Sequence, residues 1–137
     1  MNTVRKPCDE QGFTLIEIII TIVIVAILAA VALPAYQDQV TRSRRSDAQI
    51  ALLGVAQALE TCFTTTGSYA DVRCNGSIRA VSDEGYYTIA ASNRTAFTFT
   101  LTATAVGVQA RDDECATFTI NQTGAQNATG TDAANCW

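Results

Sequence analysis

The 20 residues from Ile18 to Gln37, IIITIVIVAILAAVALPAYQ, carry no charge. As a helix rising about 1.5 Å per residue they span roughly 30 Å, the thickness of a bilayer core. The run is rich in β-branched Ile and Val, which lowers helix propensity in water. In lipid that matters little, because backbone groups must bond within the segment, so a membrane helix is predicted. One carboxylate, Glu17, stands at its N-terminal edge, with only Phe13, Thr14, Leu15 and Ile16 between it and Gly12. A charge there is costly unless it snorkels, protonates or finds a partner, and a partner makes Glu17 a functional candidate.

A secretory signal places its small-residue cleavage site after the apolar core, whereas here the candidate, Gly12, comes before it. Cutting after Gly12 removes only MNTVRKPCDEQG and leaves the helix attached, with a new amino group on Phe13 four residues from Glu17. GFTLIE followed by an apolar helix and Pro34 resembles the class III signal of type IV pilins and type II secretion pseudopilins. The resemblance implies that a prepilin peptidase cleaves between Gly12 and Phe13 and that Phe13 is N-methylated. It also implies that Glu17 neutralises the N-terminal amine of an adjacent subunit, giving register to helices that otherwise slide on one another.

With 137 residues and no internal repeat, the chain has room for one membrane helix and one small domain. The formal charge is −4 and survives cleavage, since the leader takes Arg5 and Lys6 with Asp9 and Glu10, leaving 7 basic and 11 acidic side chains. That balance makes nucleic acid an unlikely partner by composition. Cys8 leaves with the leader, and the even set Cys62, Cys74, Cys115 and Cys136 points to disulfides in an oxidising space. A chain with no His and no C-x-x-C pair offers little to zinc. No nucleophile elbow, P-loop, H-E-x-x-H or dinucleotide fingerprint occurs, so neither enzymatic activity nor a cofactor or metal is expected.

Beyond the apolar run, Pro34 predicts a kink or local loosening rather than an end. A helical period resumes at Ala48, Leu52, Val55, Leu59 and Cys62, and Gly54 within it is a candidate bend. Arg42, Arg44 and Arg45 read as a juxtamembrane anchor. TTTGSYADVRCNGS reads as a loop, which a Cys62–Cys74 bond would staple to the helix end. Strands are predicted over 85–91, 96–105 and 115–121. In the second, Phe97, Phe99, Leu101 and Ala103 share one face; in the third, Ala116, Phe118 and Ile120 do. SNRT reads as a hairpin turn, Asp112 to Glu114 as a solvated turn with Ca²⁺ binding the alternative, and NQTGAQNATGTDAANCW as a polar terminal loop.

This order is similar, across the whole chain, to the α+β type IV pilin fold. That fold is a long N-terminal helix, half membrane-embedded and half amphipathic, packed on a small antiparallel sheet of three to four strands. The closing Cys-Trp looks most like the PilE-type minor pilins, with Cys115 and Cys136 bounding the terminal loop; the bonding of Cys62 and Cys74 stays open. The implied organisation is a cleaved leader over 1–12, a transmembrane and assembly helix over 13–37, and a globular domain over 38–137 containing the second half of the helix. The implied partners are other pilin subunits in a helical filament, the prepilin peptidase, an inner-membrane assembly platform, and the membrane before assembly. The C-terminal domain would be periplasmic, then extracellular on the pilus. The implied function is a structural pilus subunit, a minor pilin that primes or joins the fibre. The alternatives are a major pilin, a type II secretion pseudopilin, and a DNA-receptor pilin, which needs a basic stripe that Arg73, Arg79, Arg94 and Arg111 are too scattered to show in sequence.

The leader generates the first prediction: the mature chain begins at Phe13, and Gly12→Val stays uncut in the membrane. Intact-mass analysis of membrane and filament fractions checks it; a mature species still carrying MNTVRK contradicts it.

Overall fold

The computed structural model describes residues 12–137, so the expected leader, apart from Gly12, lies outside the described residues. Helix α1, Leu15–Thr66, is continuous, with Pro34 inside it. Contacts divide the chain into two units, Met1–Gln37 and Asp38–Trp137.

In the first unit the helix is apolar on every side, and large side chains such as Ile20, Ile24, Leu28 and Val31 are exposed. Its most apolar 18-residue window has a mean hydropathy of 3.0, and the helix is long and apolar enough to cross a membrane. In the second unit only one stripe of α1 is buried: Ala48, Ala51, Leu52, Val55 and Leu59. Burying a leucine such as Leu52 or Leu59 stabilises by about 1.5 to 3 kcal/mol. Gly54 lies within this helical run in open space, with no neighbour close to where a side chain would project.

The stripe packs on a four-stranded antiparallel sheet, ordered β1-β2-β3-β4, of Tyr87–Ser92, Thr100–Ala105, Thr117–Asn121 and Gln126–Thr129. Strand alternation sorts the rows. Ile89, Ala103, Phe118 and Ala128 lie side by side and are buried, as are Leu101 and Ile120 in the next inward row. The outward rows are Thr88, Thr104, Thr117 and Thr129, then Ala90, Thr102, Thr119 and Asn127. Tyr87 and Trp137 each meet Phe118 edge to face, with centroids 5.7 Å apart.

Several elements differ from the expectation. Strand β2 begins at Thr100, and Phe97 is exposed, because Asn93 to Phe99 form a longer connection than SNRT, pinned by Thr95 and Thr98. Ala116 is exposed and the buried residue there is Cys115, since the chain enters β3 only at Thr117. The polar C-terminal stretch contains β4, and the loop after α1 contains a 3-10 turn, Val72–Ser77, capped by Asp71.

Two disulfides tie these parts together: Cys62 to Cys74, and Cys115 to Cys136. The second closes the terminal segment over Gly130, whose φ of +142° and close approach to the Glu114 carbonyl exclude a side chain. A Cβ there would lie 2.1 Å from that oxygen. With 21 positions separating its cysteines, this bond removes denatured-state freedom corresponding to about 3 to 3.5 kcal/mol. Cys136→Ser is therefore expected to lower the unfolding free energy of the oxidised protein by that order, read as a lower denaturation midpoint. An unchanged midpoint contradicts the terminal segment's role.

Candidate functional site

Three groups of polar residues stand out, and the first lies at the start of α1. Thr14 precedes the helix, and the Glu17 carboxylate accepts from the Thr14 N–H and hydroxyl, both at 3.4 Å. The Glu17 N–H is in turn 3.3 Å from the Thr14 hydroxyl oxygen. This is a T-x-x-E capping box, in which the carboxylate also lies at the positive end of the helix dipole. The motif is legible in GFTLIE and gives Glu17 a local partner that the membrane-charge argument overlooked. Phe13 beside it is exposed.

The second group joins α1 to the sheet. Arg45 is nearly buried and makes a bidentate pair with Asp112, Nε to Oδ2 and Nη2 to Oδ1 each at 2.7 Å, while Nη2 also reaches Glu114 at 2.8 Å. Hydrogen bonding to Asp112, more than to Glu114, raises the Arg45 pKa above its ordinary value. Asp112 further accepts from Gln109 and the Cys115 N–H. Asp47, also buried, accepts from the Ser82 hydroxyl and the backbone N–H groups of Glu84 and Tyr86. Burial pushes the Tyr87 hydroxyl up to about 12. Arg45 is therefore no membrane anchor, and Asp112 is not part of a solvated turn. The overlooked signal was that Arg45 lies on the stripe itself, three residues before Ala48 and seven before Leu52. Arg44 covers the Tyr86 ring at 4.6 Å, and Arg42 reaches Glu114 at 3.8 Å. Among the described residues no cluster of metal-ligating side chains occurs.

The third group lies where the Cys62–Cys74 bond ties the loop after α1 to the helix end. Arg73 is held by Asp71 through its backbone N–H, Nε and Nη2. That side-chain pairing, helped by the backbone bond, lowers the Asp71 pKa to about 2. Asn75, in the same turn, accepts from Arg94 of the β1–β2 connection. The connection is also held by the Tyr69 N–H, which donates to Ala96 O at 3.1 Å, and by Tyr69 edge to face on Phe99. Phe97 projects beside Phe63 and stays exposed. Burial, with the Glu60 hydrogen bond second, pushes the Tyr69 hydroxyl up to about 12. Arg73 and Arg94, 21 positions apart in sequence, are thus linked through the Val72–Ser77 turn, Arg73 within it and Arg94 bonded to its Asn75, while Arg111 lines a cleft with Asp38, Arg42 and Asp113.

These elements match known proteins. Residues 8–33 match the prokaryotic N-terminal methylation motif, and residues 34–119 match the family described as type IV minor pilin ComP, DNA uptake sequence receptor. The helix, sheet and methylation motif define the class as type IV pilins, structural proteins rather than enzymes. Within it, the chain belongs to the type IV minor pilin ComP family. A fimbrial protein of Neisseria meningitidis serogroup A is 40% identical over 83 residues, covering 61% of this chain and 46% of that protein. A type IV major pilin PilE1 of Neisseria gonorrhoeae is 42% identical over 83 residues, covering 61% and 36%. The chain therefore spans less than half the length of these curated relatives.

Two solved structures share the fold. The non-core minor pilin PilV of Neisseria meningitidis has a TM-score of 0.57 at 23% identity, covering 69% of this chain and 91% of that one. A type IV pilin of Shewanella oneidensis has a TM-score of 0.53 at 28% identity, covering 71% and 97%.

The Arg45–Asp112 pair yields a stability prediction. Removing one member of a buried pair costs about 3 to 5 kcal/mol when the other charge is left unpaired, and because Glu114 still holds Arg45 the loss here falls at the lower end of that range. Asp112→Asn is expected to destabilise by that order, and Arg45→Met with Asp112→Leu to recover much of the loss. Equal stability of Asp112→Asn and wild type in urea unfolding contradicts the assignment.

Proposed function

We propose that this protein is a minor type IV pilus subunit that contacts DNA through the β1–β2 connection, which carries Arg94 and Phe97. The family match over residues 34–119 carries the reading. It brings forward the DNA-receptor alternative against the overall acidic charge. Four of the seven arginines after residue 37 pair with carboxylates, namely Arg42, Arg45, Arg73 and Arg79. Arg94 instead donates to the neutral amide of Asn75, and the same connection carries the exposed ring of Phe97. A guanidinium for phosphate with an aromatic face for a base suits nucleic acid.

In this reading the peptidase cuts between Gly12 and Phe13 and methylates Phe13. Residues 13–37 then hold the subunit in the inner membrane, with residues 38–137 in the periplasm. At the assembly platform Glu17 exchanges its Thr14 contacts for the Phe13 amine of a neighbouring subunit, while Ile18 to Leu33 pack among like helices. Pro34 lets the helix yield locally as the subunit leaves the bilayer. A major pilin is the second reading, favoured by the PilE1 similarity; a pseudopilin has no comparable support.

Two measurements test the proposal. Full-length protein in detergent micelles is expected to bind fluorescent duplex DNA with an affinity that falls steeply with salt; no binding at low salt overturns the DNA contact. Glu17→Gln is expected to leave insertion and processing intact and to lower the ratio of subunit in sheared filaments to subunit in the membrane, because the amide keeps the shape and loses the charge. An unchanged ratio removes the alignment role.

A further inference from the structure

Arg94 and Asn75 belong to different connections. Asn75 lies in the 3-10 turn Val72–Ser77 between α1 and β1, and Arg94 between β1 and β2. The turn is short, and its fixed point is Cys74, fully buried and bonded to Cys62 near the end of α1. Asn75 is the next residue, so the disulfide sets where its side chain can reach. Arg73, on the other side of Cys74, is neutralised by Asp71. Arg79 is likewise paired with Asp83.

A guanidinium on a long flexible stem loses entropy when it is ordered by a ligand, and a partner that holds it beforehand reduces that cost. A carboxylate partner also cancels the charge a phosphate needs. An amide oxygen orients the guanidinium and leaves its charge intact.

The geometry points to Asn75 as the positioning residue of the DNA contact: fixed by the Cys62–Cys74 bond, it aims Arg94 outward without neutralising it. This rests on the DNA-contact reading above. Its distinctive consequence is that the neutrality of residue 75 matters as much as its reach. Asn75→Asp preserves shape and the bond to Arg94 and turns the site into a second closed ion pair, like Asp71 with Arg73. Asn75→Ala leaves the charge and releases the aim. Since Asn75 is exposed, neither change removes core packing.

The test is binding of full-length protein in detergent micelles to fluorescent duplex DNA of mixed sequence, read as affinity against salt concentration. Asn75→Asp is expected to weaken binding by about tenfold at low salt and to reduce the salt slope by about one unit, as the loss of one phosphate contact does. Asn75→Ala is expected to weaken binding less and to keep the slope. Cys62→Ser with Cys74→Ser is expected to resemble Asn75→Ala. Arg94→Gln reproduces the Asn75→Asp slope from the other partner, and carries the test should the aspartate variant fold poorly. If wild type binds and Arg94→Gln changes the slope but Asn75→Asp behaves as wild type, the positioning role is wrong and the DNA contact stands. If wild type binds and Arg94→Gln leaves the slope unchanged, Arg94 makes no phosphate contact and the inference fails. If wild type does not bind, the DNA reading fails and takes this inference with it.

Discussion

The stripe of Ala48, Leu52, Val55 and Leu59 against the inward rows of the sheet is the contact on which the globular unit depends. An amphipathic helix gains its stability chiefly from a partner surface, and a four-stranded sheet with one apolar face needs a cover. Each supplies the other's burial. The same helix has no such stripe before residue 37, where it is apolar all round and suited to lipid or to a bundle of like helices. One element therefore carries two chemistries in sequence. The disulfides act at the margins of this contact: one ties the loop after α1 to the helix end, and the other closes the terminal segment on β3.

Charge is arranged locally rather than globally. A formal charge of −4 argues against nucleic acid, yet a ligand meets individual side chains rather than the average. Asp112 and Glu114 are engaged by Arg45, and Asp71 by Arg73. Those carboxylates are closed into pairs, whereas Arg94, on an amide, is one of the cations left able to meet a phosphate. Arg45 with Asp112 plays the opposite part: held inside with its Nε and Nη2 on Asp112 and Glu114, it fixes the segment before β3 to the helix.

What could be read in the sequence was local. The helix stripe was legible because Ala48, Leu52, Val55 and Leu59 recur at the spacing of one helical face. Strands β2 and β3 were legible because Thr alternates with Leu, Ala, Phe and Ile. Strand β4 was not, since among Gln126, Asn127, Ala128 and Thr129 only Ala128 is buried. Phe97 was misplaced because alternation continued past the residue at which pairing stops. The Arg45–Asp112 pair joins residues 67 apart, a distance no periodicity reaches. The same holds for Arg94 on Asn75, which depends on where a disulfide sets a loop. Thr14 with Glu17 was within reach, as a capping box spanning four residues, although the cost of a charge at the membrane edge points to a partner elsewhere.

In the proposed role the apolar helix carries a minor subunit into a filament. Quantitative mass spectrometry of sheared filaments, counting this chain against the bulk subunit, decides whether it does. The expected result is that the chain is present, begins at Phe13, and amounts to a small fraction of the subunits. Its absence from filaments while abundant in the membrane, or its presence as the bulk subunit, rules the minor-subunit role out.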